Sequence, residues 1–362
     1  MGWHTRCALQ ARGDHNVTAI DRESFVDSRR LQVALSGSDV VIHCAGVNRA
    51  PSDDLLQENV SLAIQLTEAL DQVGARPIVI FANSIQAGND SPFGRTKQAA
   101  ADHLTDWGRR TGAPVADVHL PNLFGEHGRP HYNSVVATFC YELARDGSPT
   151  IVQDRELQLL HVQDAVDKIV DLANSGIGGV FRPEGRPTTV SALRQKLAGF
   201  RDLYRTGRIP DISIPFDRAL FNTYRSFCFP DNFPIHPVLR SDARGDLFEC
   251  LQSYGGRSLV FCSTSHPGAI RGEHFHLRKV ERFVVLRGTA VIALRRLFDH
   301  ALVRFPVSGR VPAIIDMPTM WTHSISNTGT DELVTLFWAD EILDPGNSDT
   351  YHETVELEKE AI

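Results

Sequence analysis

The chain has 362 residues, 42% of them hydrophobic, and a formal net charge of −7 from 37 Lys and Arg against 44 Asp and Glu. That length holds two full cores, since a single core stops growing near ~250–300 residues. The negative balance and scattered arginines exclude a general nucleic-acid partner, and no run approaches the ~20 apolar residues of a membrane span.

Short apolar runs alternating with helical periods from residue 17 to about 179 predict a doubly wound parallel sheet. The expected strands are 17–20, 40–43, 78–82 and 115–120, and the expected helices are 28–36, 53–73, 96–111, 134–145 and 164–174. Gly74 is placed to stop the second of these helices. After a helix at 190–203 the sequence turns Pro- and Phe-rich. Pro210, Pro215, Pro230, Pro234 and Pro237 argue against a long helix there, while Phe216, Phe221, Phe227, Phe229 and Phe233 are too apolar for a floppy linker. From residue 239 the pattern is short strands with glycine turns, at 257–264, 282–286, 290–294, 313–316 and 332–338. This predicts a small double-sheet barrel. The expected division is 1–205, a connecting segment 206–237, and 238–362. The six cysteines have no paired or metal-knuckle spacing and read as thiols of a reducing cytoplasm.

Chemistry concentrates in the last third. His274 and His276 stand at i and i+2, which a strand turns to one face. Glu281 follows and His323 comes from a later strand, so three imidazoles and a carboxylate suit Zn²⁺ or another divalent ion. A lone His-x-His would more simply be the polar face of an antiparallel strand. Here Gly268 and Gly288 bracket His274, His276 and Glu281, and Pro318 and Asn327 flank His323. Together these residues resemble the two cupin motifs, although Met320 stands where the second motif normally has Gly.

The first half resembles the extended short-chain dehydrogenases of nucleotide-sugar metabolism. The resemblance rests on Asp21 and Arg22 at a strand end, the run His43, Cys44, Ala45, Gly46, Val47, Asn48 and Arg49, the loop Pro121, Asn122, Leu123, Phe124 and Gly125, and the junction His161, Val162, Gln163 and Asp164. It implies a Rossmann-like fold with NADP(H) bordered by Gly2, Asp21, Arg22, Ala45, Gly46 and Lys97, and substrate near Asn122. Counting back ~20 residues from Asp21 makes Gly2 the last glycine of the pyrophosphate fingerprint. The first strand and the earlier glycines are then missing from this chain; the simpler expectation is a sequence that starts late, and the alternative is a real loss of the cofactor site. Ser84 and Lys97 occupy the family's catalytic positions, but Phe93 replaces the Tyr that protonates the ketone, and a phenyl ring has no proton to give.

Asp242, Ala243, Arg244, Gly245 and Glu249, with Arg271, Gly272 and His274, resemble the deoxysugar 3,5-epimerases. In that group the histidine is a general base, which competes with the ligand reading of His274; the three co-ligands favour metal. The whole chain is similar to the bifunctional capsular-polysaccharide enzymes of CapF type, carried by 133–140 (NSVVATFC), 161–164, 242–245 and the cupin ligands. That resemblance implies C3 epimerisation of a UDP-linked 2-acetamido-2,6-dideoxy-4-hexulose by the cupin and NADPH-dependent C4 reduction by the first half, in a cytoplasmic homodimer. His266, Lys279 and Tyr254 are candidate bases near the ligands in sequence, and Arg244 and Arg271 are candidates for the diphosphate. The rival expectations are a fully bifunctional enzyme with another proton donor and a metal-stabilised dimerisation scaffold.

Overall fold

The computed structural model describes residues 1–48, 52–243, 245–342, 344, 346 and 348–357, with backbone alone for 52–57. The chain divides into two compact units, Met1–Leu123 with Glu156–Thr188, and Phe124–Arg155 with Thr189–Ile362. Among the described residues no helix is long and apolar enough to cross a membrane.

The first unit carries α1 (Gly2–Arg12), α2 (Arg22–Val26), α3 (Ser28–Leu35), β1 (Val40–His43), α4 (Ser52–Val73), β2 (Ile78–Ser84), α5 (Pro92–Thr111) and β3 (Val115–Leu120), with β4 (Asn122–Phe124) at its boundary. After α6 (Val135–Leu143), which belongs to the second unit, come β5 (Glu156–His161), α7 (Val162–Ser175), β6 (Gly179–Phe181) and β7 (Arg186–Thr189). Strands β1, β2, β3 and β6 form a parallel sheet in that order. Alternation along β2 explains why both faces are covered. Val79 and Phe81 join Leu66, Leu70, Leu104 and Trp107 of α4 and α5, while Ile78 and Ile80 join Ala165 and Ile169 of α7. Gly74, at φ 68°, ends α4 as expected, with the Ala75 N–H bonded back to the Leu70 carbonyl at 3.1 Å.

Two expectations fail for identifiable reasons. Residues 17–20 form no strand, although their composition suits one. A strand exists only within a ladder, and the outer edge of β1 pairs with none among the described residues; Ile20 instead packs from a loop onto the core beneath α4 and α5. Helix α5 starts four residues early because Ser91 caps it, its Oγ accepting the Gly94 N–H at 2.9 Å, with Pro92 in the first turn. Phe93 and Lys97 therefore sit one turn apart on one helix.

In the second unit α6, α8 (Val190–Tyr204) and α9 (Pro215–Cys228) accompany the strands β8 (Arg240–Asp242), β9 (Gly245–Leu247), β10 (Leu259–Ser265), β11 (Ile270–Phe275), β12 (Glu281–Arg287), β13 (Thr289–Arg296), β14 (Leu302–Ser308), β15 (Ile314–Met317), β16 (Trp321–Asn327), β17 (Leu333–Ala339) and β18 (Tyr351–His352). Helix α9 corrects the expectation of irregular sequence. Pro215 occupies the first turn, where a missing N–H costs nothing, and Pro230 lies beyond the end. Leu220, Phe221, Tyr224 and Cys228 give it a buried face.

Two antiparallel sheets, β10-β17-β12-β15 and β14-β13-β16-β11-β18, supply the barrel. Its core holds Phe283, Val285, Ile292, Leu294, Ile315, Ile325 and Phe337, joined by Phe229 and Phe233 from the Phe-rich segment. On the other face of β12, Arg282 pairs with Asp316 across the ladder, with Nε to Oδ1 at 2.7 Å and Nη2 to Oδ2 at 2.9 Å, both side chains fully buried. Tyr204 of α8 donates to Asp316 Oδ2 at 2.8 Å, and Arg282 reaches the Gly207 carbonyl at 2.6 Å. Burial alone would push the Asp316 carboxyl up, but the Arg282 guanidinium overrides it and holds it below the usual range.

Arg282→Met leaves Asp316 buried without its counter-charge. A loss of about 3–5 kcal/mol is expected in urea unfolding of this unit, much of it recovered by Arg282→Met with Asp316→Leu; a single variant within 1 kcal/mol of the parent, roughly the worth of a surface pair, would contradict the buried-pair account.

Candidate functional site

Strand β11 delivers its histidines through an irregularity. Arg271 pairs with Ile325 and Gly272 with Ser324 of β16, yet His274 pairs with His323, so Glu273 is one residue too many. Gly272 (φ 100°) and Glu273 (φ 58°) both take positive φ. A Cβ on Gly272 would lie 2.6 Å from the His323 carbonyl oxygen, so only glycine lets β11 approach β16 there. The rings of His274 and His323 end 4.6 Å apart, those of His274 and His276 5.0 Å, and those of His276 and His323 5.3 Å. Glu281 opens β12 with its carboxylate among them: Oε2 is 2.9 Å from His276 Nε2, 3.5 Å from His323 Nε2 and 4.0 Å from His274 Nε2.

One ligand atom from each of His274, His276, Glu281 and His323 lies within 4.8 Å of the others. The tautomers suit an ion. His276 Nδ1 donates to the Asp349 carbonyl at 2.6 Å and His323 Nδ1 faces the Trp321 carbonyl at 3.4 Å, which leaves both Nε2 lone pairs pointing inward. Those two Nε2 atoms are buried beside Glu281 Oε2, and no donor among the described residues faces either of them. Burial drives His323 down to about 4, so it stays neutral. For His276 burial pulls downward too, but the Glu281 charge outweighs it and raises the imidazole. Glu281 is itself pushed up by burial and pulled further down by His276, well below the ordinary carboxylate range. A neutral imidazole with an orphaned lone pair beside an ionised carboxylate fits a divalent cation.

Met320, in the glycine position of the second motif, keeps the conformation a glycine would take. It sits at φ 62°, fully buried, its N–H bonded to the His276 carbonyl at 2.7 Å. Left-handed backbone costs a side-chain-bearing residue roughly 1–2 kcal/mol, and the buried contacts offset it.

The other candidates of this unit are scattered. Lys279 is buried and donates to the Ser348 carbonyl and to Thr350 Oγ1, the latter at 3.0 Å, with Glu341 at 3.7 Å; its charge also opposes protonation of His276. His266 lies in the exposed turn between β10 and β11, at the opposite end of β11 from His274. Tyr254 is exposed. Arg271 lies back on β10, its Nε donating to Ser265 Oγ at 3.0 Å and Nη2 to the Thr264 carbonyl at 3.1 Å. Arg244 lies outside the described residues, as does Arg49 of the first unit.

In the first unit, Lys97 is buried, its Nζ 3.1 Å from the Ala82 carbonyl and 4.0 Å from the centre of the Phe81 ring. Burial lowers its ammonium to about 8, opposed by the charge of Asp117. A Cβ built on Gly46 would come 3.9 Å from Lys97 Nζ, so this lysine reaches the turn after β1. Ala45 and Gly46 are exposed on that turn, and Ser84, half-buried at the end of β2, accepts the Gln86 N–H at 3.2 Å. Phe93 is half-buried on α5. Asp21 caps α2 by accepting the Ser24 N–H at 2.7 Å, and Arg22 meets Glu58 at 3.4 Å. Gly2 and Asn122 are exposed.

The sequence reading missed three features. Asn59 of α4 pins the turn after β1, accepting the Val47 N–H at 3.0 Å and donating to the Val47 carbonyl at 2.9 Å. Asn83 and His119 both bond the Asp117 carboxylate at 2.7 Å in a buried cluster. Asp349 is the third. A lone polar residue in a helix or strand pattern signals none of these; only the alternation of β3, which places Asp117 and His119 on one face, hints at the second.

Comparison with known proteins fits this layout. Residues 1–180 match the NAD dependent epimerase/dehydratase family, and residues 240–351 match the polysaccharide biosynthesis C-terminal domain. A Pseudomonas aeruginosa protein named UDP-2-acetamido-2,6-beta-L-arabino-hexul-4-ose reductase is 34% identical over 95% of this chain and 94% of its own. The crystal structure of the capsular polysaccharide assembling protein CapF from Staphylococcus aureus covers 98% of this chain and 97% of its own at 30% identity, with a TM-score of 0.60. CapF with the inhibitor 3-isopropenyl-tropolone covers 98% and 96% at 28% identity, with a TM-score of 0.57. The chain therefore belongs to the CapF-type family of nucleotide-sugar epimerase/reductases of polysaccharide biosynthesis, with a short-chain dehydrogenase unit followed by a cupin.

Proposed function

We propose that the cupin is a metal-dependent epimerase inverting C3 of a UDP-linked 2-acetamido-2,6-dideoxy-4-hexulose for capsular or surface polysaccharide. In this reading the first unit binds a nicotinamide cofactor, but its reduction of the C4 ketone is slowed by Phe93. The observation that carries the reading is the convergence of His274, His276, Glu281 and His323. The name of the Pseudomonas relative supports the sugar class.

The C4 carbonyl acidifies the C3 proton; its removal and return on the other face invert the centre with no net change in atoms. A zinc or other divalent ion held by the four ligands would supply a Lewis acid for the ketone oxygen. His274 is the most exposed ligand, its side chain 24% accessible, and marks the side from which substrate enters. Lys279, an ammonium held by Ser348 and Thr350, suits the return of a proton better than His266 in its distant turn. Arg271, with Arg244, would face the diphosphate. In the first unit Ala45, Gly46, Gly2, Asp21 and Arg22 would border the cofactor. Ser84 and Lys97 would face the ketone with Asn122 nearby, without the phenol that Lys97 would acidify. We also place the protein in the cytoplasm as a homodimer: its described cysteines are all free thiols, and edge strand β10 exposes Val260 and Phe261 by 52% and 41%.

In deuterated water the protein should place deuterium at C3 of a 4-keto sugar nucleotide, lose that activity on chelation, regain it with zinc, and lack it as His323→Gln. Exchange that survives both chelation and that substitution would sink the epimerase reading. The relative's name, a reductase along almost the whole chain, favours a second reading in which both reactions run at full rate. NADPH consumption separates the two. Phe93→Tyr should raise it by about 10²–10⁴, whereas sustained turnover by the natural protein, unchanged by the added phenol, decides for the bifunctional enzyme.

A further inference from the structure

We infer that residues 348–355 are the outer clamp of the metal centre and that Asp349 is its positioning residue. The inference rests on the metal reading above and concerns a segment which none of the ligand motifs includes.

The clamp touches the chain at, or directly beside, each of the three ligand histidines. At His276 the contact is direct: the Asp349 carbonyl accepts the Nδ1–H at 2.6 Å and so fixes which nitrogen is left for an ion. The Asp349 carboxylate then takes the next three backbone N–H groups in turn, Leu277 at 3.1 Å, Arg278 at 2.8 Å and Lys279 at 2.7 Å. One side chain thereby sets the path of the loop between His276 and Glu281. Asp349 holds a φ of 44° to do so. Beside His274, the surplus residue Glu273 is gripped twice, its carbonyl accepting the Glu353 N–H at 3.0 Å and its Oε2 the Val355 N–H at 2.6 Å. Strand β18 extends that grip, with His352 paired to His274 and Tyr351 to Phe275. Beside His323, Thr322 Oγ1 donates to the Glu353 carbonyl.

The clamp is itself fastened. Arg295 is buried and donates to the Val355 carbonyl at 2.9 Å, the Thr354 carbonyl at 2.7 Å and Glu353 Oε1 at 2.9 Å, while Val355 is fully buried. Lys279 ties the other end through Ser348 and Thr350. Ligands held in place before an ion arrives bind it more tightly, because less ordering remains to be done on binding.

The test is zinc affinity of the full-length protein, measured by competition with a chromophoric chelator, with the absorption spectrum of the cobalt-substituted protein as second readout. Asp349→Ala keeps the backbone carbonyl but removes the carboxylate that holds the 277–279 amides, so it should weaken zinc by about 10–100-fold, the range typical of lost outer-shell partners, and should shift the cobalt bands as the loop between His276 and Glu281 is freed. Asp349→Asn tolerates the same backbone and keeps one acceptor oxygen, so it should fall between, and it carries the test should the alanine variant not fold. Glu356→Gln, which removes only the charge facing Arg304 beyond the clamp, should match the parent. Equal zinc affinity and unchanged cobalt spectra in both Asp349 variants would overturn the clamp while leaving the metal site intact. A parent protein that takes up no zinc would instead overturn the metal reading and the clamp with it.

Discussion

A bulge in one strand brings four candidate ligand side chains to one place. Were Glu273 paired in regular alternation instead of bulged, it would take the side of Ile325 and His274 would be sent to the other face. The bulge reverses that parity, so Arg271, His274 and His276 share a side and His274 meets His323 across the ladder. Keeping the bulge requires positive φ at Gly272 and Glu273 and a close backbone approach to β16. The bonds from Glu353 and Val355 to Glu273 hold that conformation.

Strand β12 shows how two kinds of buried charge share one element. Glu281 and Arg282 are adjacent and so face opposite ways. The first meets imidazoles whose remaining lone pairs have no partner, and the second meets backbone carbonyls and a carboxylate that is itself bonded by the Tyr204 phenol. A buried charge that is paired belongs to the scaffold, while one surrounded by unsatisfied acceptors calls for a cation. The same contrast separates Lys97, buried beside an apolar ring and pulled to about 8, from an ordinary surface lysine.

Most of the architecture was legible because period and punctuation agree: α4 ends at Gly74, α7 starts at the expected junction, and the ligand spacing in β11 and β16 identifies the residues that converge. What stayed illegible was set at long range or by geometry. Residues 17–20 read as a strand because composition reports fit to a ladder, not the presence of one. Helix α9 was hidden because proline was read as a breaker without regard to its place in the first turn. Asp349 lies 73 residues from the ring it orients, a relation no local pattern encodes. The bulge was invisible because a glutamate at φ 58° looks like any other polar strand residue.

Met320 shows how such a pattern can mislead in the other direction. The conformation at this corner is enforced by its neighbours, with the Met320 N–H on the His276 carbonyl and the Leu297 N–H on the Met320 carbonyl, so a glycine is convenient there rather than obligatory. Two backbone bonds, rather than the absence of a side chain, fix the shape of this corner.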